Sequence, residues 1–126
     1  MRLTKTTITK TWITGAGHAA ETQVIGGVSG KLVGVRMWVS EVTGDPDVTV
    51  TITDEADLTL FSSGAKNDAT NYRFGTESEK ATQDADFDPT YFVNEALTVS
   101  IDPSADAGGT AQTLTVIVDV YILQYD

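Results

Sequence analysis

Residues 31–62 constrain this chain most, because apolar side chains recur there at every second position. Val33, Val35, Met37 and Val39 share one face of a first segment. Val48, Val50 and Ile52 share one face of a second, with Thr49, Thr51 and Thr53 between them. A strand turns successive side chains to opposite faces, so this spacing predicts half-buried strands and not helices. Thr43-Gly44-Asp45-Pro46-Asp47 separates the two with residues that break strands and start turns. A short acidic corner, Asp54-Glu55-Ala56-Asp57, then leads into a third apolar segment at Leu58, Leu60 and Phe61.

The same reading extends along the chain. Residues 96–101 alternate with Leu97, Val99 and Ile101 inward. Residues 112–125 form the longest predicted strand, with Leu114, Val116, Val118, Val120 and Ile122 on one face. Its other face carries Thr115, Ile117, Asp119, Tyr121 and Leu123, and so is partly apolar too. That composition fits a sheet whose second face is partly covered, as by a subunit contact. Residues 4–14 are rich in threonine, with Ile8 and Trp12 on one parity, and read as an edge strand or an extended arm. Residues 21–26 make a short strand around Val24 and Ile25, and Gly26, Gly27, Ser29 and Gly30 a loop after it. Residues 70–74 make another short strand, and the polar, acidic stretch 75–90 a long loop.

No amphipathic helical stretch of ten or more residues is present. Many strands at near-regular spacing predict an all-β fold: a single antiparallel β-sandwich, jelly-roll-like. Residues 1–14 would be its N-terminal arm or edge strand, and residues 15–126 the sandwich domain. A chain of 126 residues is long enough for one core without staples.

Charge narrows the partners. The net charge of −10 argues against direct binding to nucleic acid. It is unevenly spread: residues 1–40 carry five bases against Glu21 alone, whereas residues 41–106 carry 15 acids and three bases. A basic N-terminal segment on an acidic body fits an acidic surface on a neighbouring copy or a partner. No apolar run approaches the ~18 residues of a membrane span. The opening Met1-Arg2-Leu3-Thr4-Lys5 does not read as a signal peptide, so cytoplasmic synthesis is expected. There are no cysteines, which removes thiol chemistry, disulfides and cysteine-based zinc sites.

The patterns of catalysis fail one by one. His18 is the only histidine and sits in a Gly/Ala corner. Ser29, in Gly27-Val28-Ser29-Gly30, lacks the final glycine of a nucleophile elbow. Gly30-Lys31 lacks the remaining residues of a phosphate loop, with Leu32 where Ser or Thr should hold magnesium. Asp54/Asp57 and Asp45/Asp47 sit at predicted corners, where aspartate is a turn former. The best metal pattern is Asp84, Asp86 and Asp88, followed by Glu95, spaced like acids of a calcium loop. Pro89 stands where that loop needs its glycine, and no helices flank it. The expectation is therefore a protein that is not an enzyme and holds no cofactor. Trp38 shares the parity of Arg36 and Ser40, off the main core, and is the leading candidate for an interface anchor. The candidate partner-binding set is Arg2, Lys5, Lys10, Trp12, Trp38 and Tyr121.

The run VGVRMWVSEVTGDPDVTVTITDEADLTLFSSG, followed by EALTVSIDPSADAGGTAQTLTVIVDVYI, resembles small β-sandwich structural proteins of tailed-bacteriophage virions, the head decoration or cement proteins. The likeness covers about half the chain and lies in the pattern of strands and corners. It implies a non-enzymatic protein on the outer surface of a capsid, bound to a lattice of a different, major capsid protein and commonly trimeric. Its residues 1–14 would be the capsid-facing arm. The alternatives are a tail or connector accessory protein, or a carbohydrate-binding module that stacks sugars on Trp and Tyr.

Overall fold

The computed structural model describes residues 1–66, 70–75, 86–87 and 91–125. Eight strands follow in order: β1 (Arg2–Ile13), β2 (Glu21–Val39), β3 (Val48–Thr53), β4 (Thr59–Ser62), β5 (Thr70–Gly75), β6 (Asp86–Phe87), β7 (Tyr91–Pro103) and β8 (Thr113–Gln124). The described residues form no helix, and so none long and apolar enough to cross a membrane. Every strand pairing is antiparallel.

β2 makes this sheet into a sandwich. Its first part, Glu21 to Lys31, pairs with β7, and its second, Gly30 to Val39, pairs with β8. At Gly30 and Lys31 both edges of β2 are occupied at once; beyond them β5 takes the edge that β7 leaves. One layer therefore has the order β1-β8-β2-β5 and the other β2-β7-β3-β4-β6. This is jelly-roll order, with β2 serving both layers. The turn from one layer to the other falls at glycines. Register shifts lie between Ile25 and Val28 and between Val28 and Gly30. Gly27 has φ +66° and Gly30 φ +150°, conformations that side chains resist. Residues 26–30, expected as a loop, are thus the bend of one 19-residue strand.

The core fills the space between the layers. Val48, Val50 and Ile52 of β3, Leu97, Val99 and Ile101 of β7, and Leu114, Val116, Val118, Val120 and Ile122 of β8 are all buried, as their alternation requires. Phe61 and Phe74 close one side, edge to face with centroids 5.1 Å apart. The first part of the period-two pattern needs a correction. Leu32 pairs with Ile122 but Gly34 with Tyr121, so Val33 is an extra residue in a bulge. The bulge turns Leu32 inward along with Val35, Met37 and Val39, and leaves Val33 only half-buried. Leu58, expected to resume the apolar pattern, is 65% exposed at the corner before β4.

β1 is an edge strand and not a free arm. It pairs with β8 at twelve consecutive positions, from Arg2↔Gln124 to Ile13↔Thr113. Ile8 and Trp12 reach the core, and the Trp12 indole N–H donates to the Ala19 carbonyl at 2.8 Å.

One loop position carries avoidable strain. Ala111, before β8, has φ +53°, where its Cβ crowds the backbone. Ala111→Gly is expected to raise stability by about 0.5–1 kcal/mol, relief of strain outweighing the added freedom of the unfolded chain. The midpoint of urea unfolding checks this; a lower midpoint contradicts it.

Candidate interaction face

The outer face of the β1-β8-β2-β5 layer collects the side chains that the core does not use. Register sets its rows across the strands. Lys5 lies opposite Tyr121, and Tyr121 opposite Gly34. Thr7, Asp119, Arg36 and Arg73 form the next row, and Thr9, Ile117, Trp38 and Asn71 the one after. Leu3 and Leu123 form a row beyond Lys5. Trp38, Ile117, Tyr121 and Leu123 are half-buried, and Leu3 is exposed. The result is an apolar, aromatic strip on a rigid sheet, with charges set into it.

At its centre Asp119 is buried although it points away from the core. Arg36 grips it, Nε at 2.9 Å and a terminal guanidinium nitrogen at 2.5 Å, both donating to the same carboxylate oxygen. The Thr7 hydroxyl donates to the other oxygen at 2.5 Å. Burial pushes the Asp119 carboxyl up, but the Thr7 and Arg36 hydrogen bonds and the charges of Arg36 and Lys5 hold it below the ordinary carboxylate value. Below about pH 4 the unfolded chain takes up a proton at this position while the folded chain does not. This contribution is present above that pH and is lost as the pH falls through the folded value. Asp119→Asn is expected to flatten the acid limb of a plot of unfolding midpoint against pH between about 2 and 5. An unchanged limb would mean that other carboxylates control it.

The predicted partner-binding residues divide. Trp38, Tyr121 and Lys5 are on this one face. Trp12 is not: its burial in the core removes it from any contact surface, because its parity is that of Ile8. Arg2 and Lys10 share that same parity and so point to the other side of β1, where Lys10 Nζ donates to the Gln23 side-chain oxygen at 3.5 Å. Removing residues 1–12 would strip the edge of β8 and take Ile8 and Trp12 from the core, so that truncation does not leave an intact domain.

Asp84 and Asp88 lie outside the described residues, and of Asp86 only the backbone, paired with Ser62, is described. Among the described residues no cluster of His, Asp or Glu could hold a metal ion. His18 Nδ1 lies 3.2 Å from the Pro103 carbonyl. The corner aspartates shape turns: Asp54 accepts the N–H groups of Ala56 and Leu58, and Asp45 and Asp57 have positive φ.

Sequence reasoning missed Arg36, Asp119, Thr7 and Arg73 as a unit. A signal was present: Asp119 is the single charge in β8 and Arg36 is flanked by Val35 and Met37, and opposite charges set among apolar residues fit as a pair.

Two arginines face each other directly across β2 and β5. Beside them a depression of about 380 Å³ is lined by Val33, Arg36, Arg73, Phe74, Gly75 and Tyr121. Lys5, Arg36 and Arg73 against Asp119 leave this face positive on a chain of net charge −10. No protein-family model matches the chain, and neither a curated protein nor a solved structure matches it.

Proposed function

We propose that this protein is a non-enzymatic virion structural protein that decorates and stabilises a tailed-phage capsid by binding the outer surface of the major capsid protein lattice. The observation that carries the reading is the strip of Trp38, Ile117, Tyr121 and Leu123 laid over a hydrogen-bonded four-strand layer. Aromatic anchors held on a rigid sheet, ringed by charge, suit recognition of a protein surface. The resemblance of the strand-and-corner pattern to cement proteins supplies the virion, the capsid lattice and the trimer. The function then needs the face and not a detachable arm, since β1 is committed to β8.

Electron microscopy of virions made with and without the protein tests this. The expected result is density on the capsid surface that is lost without it. Density confined to the tail or connector, or identical virions, would overturn the capsid reading. Trp38→Ala is expected to weaken binding to bare capsids by roughly tenfold or more, the effect of losing an interface anchor, while the melting temperature stays close to wild type. Undiminished binding would remove Trp38 from the contact.

A further inference from the structure

The depression beside Arg36 and Arg73 has the chemistry of a carboxylate socket. Arg36 and Arg73 are directly opposed on neighbouring strands, an arrangement that repels unless an anion is shared. Asp119 satisfies Arg36 alone, and Arg73 is exposed and has no ion pair among the described residues. Tyr121 and the apolar Val33 also line it. Gly34 adjoins it: a Cβ there would lie 3.4 Å from the Phe74 carbonyl oxygen and 3.7 Å from Tyr121, two of the lining residues.

The chain itself carries a matching plug. The corner between β3 and β4 is an exposed acidic tip. Asp54 is occupied by the N–H groups of Ala56 and Leu58, and Glu55 accepts the N–H of Ala96. The Asp57 carboxylate makes no hydrogen bond among the described residues, and Leu58 beside it is 65% exposed. The tip thus offers one uncommitted carboxylate and one apolar side chain. The socket asks for an anion against Arg73 and apolar surface against Val33.

The geometry points to a self-assembly contact in which the Asp57–Leu58 tip of one copy enters the Arg36/Arg73/Tyr121 socket of a second copy. Different surfaces meet in it, so it is heterologous, and repetition closes it into a ring or extends it as a filament. The inference needs no virion and stands apart from the capsid reading.

Sedimentation velocity of the full chain from about 10 μM to 1 mM at low salt tests it. Wild type is expected to associate with rising concentration, and less so at about 0.5 M salt, as an ion pair between surfaces requires. Asp57→Asn keeps a residue that tolerates positive φ, and Arg73→Ala changes only an exposed position. Each alone is expected to weaken association at least about tenfold. Mixed in equal amounts they are expected to form a species that stops at two copies, because one supplies the intact tip and the other the intact socket. Gly34→Ala, which meets only ordinary contacts, is expected to fold normally and weaken association by narrowing the socket. Wild type that stays monomeric at 1 mM, association unchanged in both single variants, or a mixture no larger than either variant alone would overturn the inference.

Discussion

Gly30→Ala is expected to unfold the protein or to cost at least about 4 kcal/mol, a large part of the 5–15 kcal/mol that holds a domain of this size. Gly30 pairs with Phe92 of β7 on one edge and Gln124 of β8 on the other. A Cβ there would collide with the Leu123 carbonyl oxygen and lie 2.9 Å from the Gln124 Cα, and both are backbone that no rotamer change can move. The positive φ adds strain even if room were made. The only escape is for β8 to separate from β2, which would open both layers at the strand they share. Circular dichroism during a thermal melt reads the outcome. Gly26→Ala is the control, since nothing lies within 4 Å of a Cβ there and its effect should stay near 1 kcal/mol or below. A Gly30→Ala protein melting like wild type would mean that the bend lies elsewhere.

Val118→Asp is expected to cost about 4 kcal/mol or more. Val118 is fully buried at the middle of β8, between Ile8 of β1 and Met37 of β2. The new carboxyl would face Leu, Val and Ile side chains and be left without a partner. Such a group avoids its charge by keeping its proton, so its folded pKa rises. The loss should therefore shrink as the pH falls toward about 4, the reverse of the Asp119 dependence. Chemical denaturation at pH 7 and at about pH 4 separates the two parts of the cost: the part lost between them is charge and the remainder is packing and burial of the neutral carboxyl. A near-normal melt at pH 7 would show that the inward parity of β8 is wrong.

The contrast between Val118 and Asp119 shows what was legible in the sequence. Period-two alternation depends on adjacent residues alone, so it placed the buried faces of β3, β7 and β8 residue by residue. It failed at Val33, where one bulged residue reverses parity, and the only local sign is the glycine that follows. It split β2 at Gly26–Gly30 because a glycine run reads as a loop whether it ends a strand or bends one. Trp12 reads as a contact residue when residues 1–14 are taken as an arm, yet its strand is held by β8 and its side chain is buried. The Arg36–Asp119 pair spans 83 residues, and no local pattern sets the register that joins them. The face was therefore half legible: Trp38 and Tyr121 from parity, the arginines and the socket only from pairing.

The placement of β8 between β1 and β2 has a consequence for how the chain folds. β1 and β2 are adjacent in sequence but do not pair with each other along the sheet path; each pairs with β8. During synthesis β1, and the edge of β2 that faces β8, must wait with their backbone groups unsatisfied until residues 113–124 have emerged. Contacts of this sequence separation put the molecule among slow folders, on the order of milliseconds to seconds. Over that interval the threonine-rich β1 is an open edge, and Lys5 and Lys10 along it are the kind of charge that discourages pairing with the wrong chain. The basic residues at the start of the chain thereby gain a task during synthesis: keeping nascent copies apart.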